Sequence, residues 1–465
     1  MLNRSVPQGG GCTLRVMGRP GDGGLGKACH NRRMPDPRRR VFALAAVALL
    51  LAACGSSPAS ASPVASPVAT ASPTPTTAAS AANRTPAPTQ NLDQVFTAIE
   101  GQVQQLRGLS QHSPVARKIL NEDQLKALIL DEFDKTNSPA LVAATEKAEK
   151  SLGLLPADAS LKDLDVQLLS SQVAGLYDPD TKTMDVVSKN GQVGPLEEIT
   201  YAHEFDHALQ DQNFGLKKLG LDDTSNSDRA LARLSLPEGD ATLLMSLWAE
   251  SNLNAVQLLQ VATEANDPSQ TALLNTMPDD LKETLLFPYE QGLSWVSSLQ
   301  AGGDWAAVNA AYASPPDSTE QILHPDKWAS HEAPIAVTIP ANLATRLGPG
   351  WTMPLTDTLG ELQLRIWLEQ VGKLPATQAE AAAAGWGGDR IALVEKGPTF
   401  GLAIITKWDT PADATEFAAA AGPTLKLLPS STAMIDPGST SQVVLFVASD
   451  QATISALAGA LGLAG

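Results

Sequence analysis

Three things are scarce in this 465-residue chain: cysteine, basic charge and long apolar runs. Cysteine occurs only at Cys12, Cys29 and Cys54. Lys and Arg number 33 against 50 Asp and Glu, a net charge of −17. The imbalance is uneven. Residues 1–53 hold nine of the basic and two of the acidic residues, which leaves 24 against 48 in the remainder, a net of −24. That charge excludes the electropositive footprint of a nucleic-acid binder, and no nucleic-acid partner is expected. The apolar run from Val41 to Leu51 falls short of the roughly 20 residues that cross a bilayer as a helix. What is plentiful is ordinary core material: 43% of residues are hydrophobic, enough for a large core, and the length suits about three domains of roughly 150 residues. There is no internal repeat.

The short apolar run has a different use. Arg38-Arg39-Arg40 precedes it and Leu51-Ala52-Ala53-Cys54-Gly55 follows, which is the order of a secretory signal: basic residues, an apolar segment, then small residues at the cut. The stretch resembles the lipobox of bacterial lipoproteins. That resemblance implies that Cys54 is lipidated and becomes the first residue, with the mature chain anchored to the cell membrane on its extracytoplasmic side. Met34 stands where such a peptide would start, so residues 1–33 read as an over-called start. After cleavage only Cys54 remains, so the mature chain holds no internal disulfide, thiolate metal site or cysteine nucleophile. Residues 54–91 follow as the lipidated cysteine and a tether. It is almost wholly Ser, Pro, Ala, Thr and Val, a composition that does not fold.

From Leu92 the pattern becomes helical. Val95, Ile99, Val103 and Leu106 recur at three- and four-residue spacing, as do Ile119, Leu125, Leu128 and Phe133, so residues 92–155 read as amphipathic helices. Gln172–Tyr177 and Thr183–Ser188 flank the turn formers Asp178-Pro179-Asp180-Thr181-Lys182 and read as a β-hairpin. Gly194-Pro195, with Glu197-Glu198 in the first turn, opens a helix that runs to about Asn213 and Gly215. Residues 228–300 are mostly helical, and the chain is irregular from Ser314-Pro315-Pro316 to about residue 350. The last 110 residues differ. Ile391–Glu395, Gly401–Trp408 and Gln442–Ala448 look like strands between Ala-rich helices, one of which starts at the cap Thr410 with Pro411 next. Residues 156–350 thus form a candidate catalytic domain and 351–465 a small α+β region.

The chemistry sits in Ala202-His203-Glu204-Phe205-Asp206-His207-Ala208-Leu209-Gln210-Asp211-Gln212. On a helix, His203 and His207 stand one turn apart on one face, so both imidazoles reach one tetrahedral ion while Glu204 lies beside it to hold a water. A zinc ion needs a third protein ligand and leaves its fourth position to water. Asp211 fails, because it lies about 12 Å along the helix from His203. Gln210 and Asn213 occupy the positions where an extended motif would need Gly and His. The best candidate is Glu238, in Leu236-Pro237-Glu238-Gly239-Asp240-Ala241, although Ser235 and Glu238 also match a capping box that opens a helix. Asp240 reads either as a partner for an imidazole N–H or as a helix-start charge.

The motif resembles that of the gluzincin zinc metallopeptidases. The chain is most similar to poorly characterised exported bacterial proteins with an A-H-E-x-x-H-A-L-Q-D-Q core and an S-T-E-Q-x-L-H-P segment, here Ala202–Gln212 and Ser318–Pro325, and the resemblance covers residues 92–345. It implies an α+β fold: a mainly helical zincin-like domain, with a small β-hairpin ahead of the active-site helix, followed by a small C-terminal α+β domain. It also implies Zn2+ on His203, His207 and Glu238, with Glu204 as general base in the hydrolysis of peptide or protein substrates. His324 or Tyr289 would stabilise the oxyanion, and the hairpin strand would line the cleft and pair with extended substrate. His331 has no assigned role. Asp206 departs from the family, whose helices carry an uncharged residue there. It either tunes a ligand or crowds the site. The competing reading is a binding or scaffold lipoprotein on the same fold without activity. The intact Glu204 argues against it.

Overall fold

The computed structural model describes residues 44–47, 91–188, 193–265 and 268–463. The expected cleavage site, Cys54 and the tether up to residue 90 lie outside the described residues. Of the apolar run, Leu44–Val47 is described, as strand β1. Then come α1 (Leu92–Arg107), β2 (Ala116–Leu120), α2 (Glu122–Thr136), α3 (Pro139–Leu152), α4 (Leu161–Gln172), β3 (Val173–Asp178), β4 (Thr183–Val187), α5 (Pro195–Phe214), α6 (Ser227–Asn252), α7 (Ala255–Ala265), α8 (Pro268–Leu274) and α9 (Asp279–Ala311). The remainder comprises α10 (Thr319–Leu323), α11 (Pro325–Ala329), α12 (Leu343–Leu347), β5 (Thr352–Asp357), α13 (Gly360–Gln370), α14 (Ala376–Ala383), β6 (Trp386–Lys396), β7 (Thr399–Trp408), α15 (Pro411–Leu425), β8 (Ser431–Ile435), β9 (Gln442–Ala448) and α16 (Gln451–Leu461). With 59% helix and 16% strand among the described residues, the fold is mixed α+β. Among the described residues, no helix is long and apolar enough to cross a membrane.

Two sheets organise these elements. The first has the order β1-β3-β4-β2. Its centre is the expected hairpin: β3 and β4 run antiparallel, Gly175 opposite Val186 and Tyr177 opposite Met184, and Asp178 accepts the Asp180 N–H at 2.7 Å in the turn. One expectation is corrected here. Ile119 belongs to β2, which pairs parallel with β4, and not to a helix. A five-residue strand flanked by helices carries too little alternation to outweigh the apolar spacing around it. The second sheet, β5-β6-β7-β9-β8, is antiparallel throughout and fills the C-terminal region. Both its faces are buried. Leu402 and Ile404 join the core shared with α6 and α9, whereas Ala403 and Ile405 face α12 and α16. Helix α15 opens with Thr410 accepting the Asp413 N–H at 3.3 Å and Asp413 accepting the Thr410 N–H at 2.9 Å, the expected cap in reciprocal form.

The helix that carries the motif lies at the centre of the N-terminal half. Pro195 occupies its first position, Glu197 accepts the Gly194 N–H at 2.9 Å, and Gly215 closes it with φ of 78°. Every residue from Ile199 to Asp211 is buried, so this helix is enclosed on all sides and shows no amphipathic stripe. Strands β3 and β4, helix α1 and helix α6 supply its walls through Phe96, Val103, Tyr177, Met184, Leu244 and Trp248. Helix α6 in turn crosses α9 at two glycines. A Cβ on Gly239 would collide with the Gly292 carbonyl, and one on Gly292 would fall 2.5 Å from the Ser235 carbonyl oxygen.

Candidate metal centre

Helix geometry brings the two histidines together as the spacing predicts. Their rings meet edge to face at 4.6 Å and their Nε2 atoms are 3.0 Å apart. Helix α6 delivers the third group from 31 residues further along: Glu238 Oε2 lies 3.2 Å from His203 Nε2 and 3.3 Å from His207 Nε2. A tetrahedral site with bonds of about 2.0–2.1 Å keeps neighbouring ligand atoms about 3.3 Å apart, so these three atoms already have the spacing of three corners around one ion. Glu238 Oε1 is buried without a hydrogen-bond partner, as is His203 Nδ1. An unpaired carboxylate oxygen beside two imidazole nitrogens is costly unless a cation joins them. Among the described residues one other group of side chains is close enough to share an ion, Glu320, Glu332 and Asp409. The Lys327 ammonium already bridges all three, at 2.7, 2.9 and 2.5 Å.

Glu238 sits inside α6, eleven residues from its start, so the capping alternative is excluded. The helix opens instead at Asn226, which accepts the Arg229 N–H at 2.9 Å, and Ser235 donates its hydroxyl back to the Leu231 carbonyl.

The tautomer of His207 follows from hydrogen-bond accounting. Gln210 Nε2 donates to Asp206 Oδ2 at 2.9 Å and to the Pro237 carbonyl at 3.1 Å. The Pro237 carbonyl can only accept, which fixes the amide and turns Gln210 Oε1 toward His207 Nδ1 at 2.9 Å. His207 therefore carries its proton on Nδ1 and presents the Nε2 lone pair to the cluster. This also answers the question of Asp206: it sets the amide that sets the imidazole, and it does not crowd the ligands. Burial and the neighbouring Asp240 carboxylate push Asp206 up to about 7, against the opposing pull of Arg107. Burial lowers His203. Burial also opposes charge on His207, but Glu238 outweighs it and raises His207 to about 9, while the histidines hold Glu238 below its usual range. A metal ion entering the cluster displaces that proton.

Asp240 follows neither expectation. It touches no imidazole nitrogen and starts no helix; its two oxygens take Arg107 Nε and Nη2, each at 2.8 Å, and Oδ2 also accepts the Tyr312 hydroxyl at 2.8 Å. Glu204, fully buried, lies against strand β3 at Gly175, where a Cβ would come within 2.8 Å of Glu204 Cγ. Only glycine lets that strand run so close. Asp211, excluded as a ligand, accepts from the Tyr177 hydroxyl at 2.9 Å and pairs with Lys182.

The two oxyanion candidates part company. The Tyr289 ring, buried on α9, stacks 6.4 Å from that of His203. His324 Nε2 is 2.9 Å from Glu361 at the start of α13, and the Ser318–Pro325 segment serves the same joint: Thr319 bonds Asp228 and Gln321 donates to the Glu332 carbonyl. His331 takes a left-handed turn conformation, φ 56°. The sequence reading assigns no role to Gln210, Arg107, Tyr312, Gly175 or Gly292. Gln210 had a signal, since a position three residues after a ligand lies on the same helix face. The others depend on partners far away in sequence.

Comparison with known proteins adds one match. Residues 346–455 fit the family model DUF8575, a domain of unknown function. No curated protein and no solved structure matches the chain.

Proposed function

We propose that this chain is a zinc-dependent peptidase of the gluzincin type, held outside the cytoplasmic membrane by a lipid on Cys54. The observation that carries the reading is the convergence of His203 Nε2, His207 Nε2 and Glu238 Oε2 within 3.3 Å of one another, with Glu204 on the same helix. A zinc ion on these three residues would lower the pKa of water and polarise the scissile carbonyl. Glu204 takes the proton from the attacking water and delivers it to the leaving amine. Tyr289, whose ring stacks 6.4 Å from that of His203, is the candidate to donate to the developing oxyanion. Extended substrate pairs with β3. In support, β1 lies antiparallel on that strand, Leu44 opposite Tyr177 and Ala45 opposite Leu176, and cleavage of the signal removes β1 and frees that edge.

The test is metal content followed by turnover. The purified chain is expected to hold one zinc, and Glu204→Gln to keep it while cleavage of a mixed peptide library falls by roughly 10²–10⁴-fold or more. Absence of zinc from the wild type refutes the reading, and equal cleavage by the two forms removes Glu204 from the chemistry. An inactive scaffold on this fold would hold zinc and cleave nothing. Cys54→Ser is expected to move the protein from the membrane to the soluble fraction, and unchanged retention would reject the anchor.

A further inference from the structure

The helices before the motif invite interpretation as a removable pro-segment, and the structure points the other way. Helix α1 is tied to both halves of the metal centre. Phe96 stacks on Tyr201 at 4.1 Å, and the Tyr201 hydroxyl, two residues before His203, donates to Glu100 at 2.6 Å. On the other side Trp248 of α6 donates to Gln102 at 3.0 Å. The last residue of α1, Arg107, is fully buried and grips Asp240 with two nitrogens at 2.8 Å each, and its guanidinium carbon lies 4.3 Å from the centre of the Trp305 ring. Asp240 follows Glu238 by two residues on α6.

We infer that Arg107 is a positioning residue of the metal centre, and that α1 is a permanent part of the mature protein. Through Asp240, whose Oδ2 accepts from both Arg107 and Tyr312, it fixes the rotation of α6 that turns Glu238 toward the two histidines. Through its charge it offsets the buried Asp240 carboxylate two residues from Glu238. Removing α1 would leave Asp240 buried without its guanidinium partner, a strongly destabilising change. The inference rests on the zinc reading, and its test separates the two.

The experiment is zinc affinity by chelator competition on the full chain, with helicity followed by circular dichroism. Arg107→Met with Asp240→Asn removes both charges at similar volume, so it is expected to fold with wild-type helicity and to lose about 10–100-fold in zinc affinity, the range for changes one shell behind the ligands. Arg107→Lys keeps the charge without the two-point grip and is expected to fall in between. If both variants hold zinc as tightly as the wild type, the positioning role is overturned. If the double variant fails to fold, Arg107→Lys decides alone: an unchanged affinity overturns the proposal and a several-fold loss supports it. A wild-type chain that binds no zinc overturns the proposed function, and this inference with it.

Discussion

Helix α6 carries two buried acid clusters, and they are held in opposite ways. Near its start, Asp228 accepts the Thr319 N–H at 3.1 Å and hydroxyl at 2.5 Å, beside Asp357 on the Ser227 N–H and hydroxyl and Asp389 on the Leu359 and Gly360 N–H groups. These donors are neutral and come from backbone and hydroxyl groups. Ten and twelve residues on, Glu238 and Asp240 face imidazoles and a guanidinium. A carboxylate held by neutral donors joins segments, here α6, the Ser318–Pro325 segment and the C-terminal sheet. One that faces lone pairs and retains an unpaired oxygen has capacity left for a ligand. Burial alone does not separate structure from chemistry; the nature of the partners does.

The largest break in this comparison is Glu238→Ala set against Asp228→Ala. The first is expected to cut zinc affinity by well over the 10–100-fold that a change behind the ligands costs, with a smaller effect on the metal-free fold. The second is expected to lower the melting temperature sharply, because the Thr319 N–H and hydroxyl lose their acceptor, while zinc affinity of the folded fraction stays within a few-fold of wild type. Parallel chelator competition and thermal melts read both. A loss of zinc binding from Asp228→Ala would merge the two clusters into one.

Next in size is Gly292→Ala. Its Cβ would meet the Ser235 carbonyl, three residues before Glu238, so the α6–α9 crossing must open. Overpacking of this kind costs about 1–3 kcal/mol. Because the displaced backbone leads directly to Glu238, zinc affinity is expected to fall along with stability. An equivalent insertion far from Glu238 would affect stability alone.

These residues also show what the sequence held. The His203–His207 spacing was legible because a helix alone converts it into geometry, and Thr410 announced its helix for the same local reason. Glu238 was legible as a candidate and undecided as a ligand, since a capping box and a mid-helix ligand share the same four letters. Arg107 was illegible. Its partner lies 133 residues away, and nothing local distinguishes it from any cation ending a helix. Strand β2 was lost to the same cause, because its partner β4 is set by tertiary packing. The C-terminal strands were found where each is long and apolar and missed at β5 and β8, where burial is partial.

A pH series sharpens the contrast from the side of the joint. Burial pushes Asp389 from 3.8 up to about 6, and Glu320 from 4.5 up to about 7. A carboxyl raised on folding favours the fold fully below its unfolded value and loses that contribution as pH rises through the folded value. The joint is therefore expected to weaken between about pH 4 and pH 7. With a chelator present, the melting temperature of the wild type relative to Asp389→Asn should decline across that window; a flat difference would remove Asp389 as its source. Taking the difference cancels His203, whose lowered value acts in the opposite direction.

The smallest expected effect settles which region owns His324. Family resemblance puts it in the chemistry, and its hydrogen bond puts it at the joint with Glu361. The bond to Glu361 favours the charged imidazole, against a smaller opposing effect of burial. With a side chain 37% exposed, the pair is screened, and His324→Gln is expected to cost no more than about 1 kcal/mol. Gln keeps a donor of similar reach, so the joint should remain closed. If His324 belongs to the joint, any peptidase turnover of the zinc-loaded protein stays within a few-fold of wild type and only the melting temperature moves. If it donates to the oxyanion, kcat falls by roughly 10²–10³-fold while stability barely changes. The same pair of measurements on Tyr289→Phe should give the reverse pattern, because that ring lies against His203, on the side of α6 where the partners are bases.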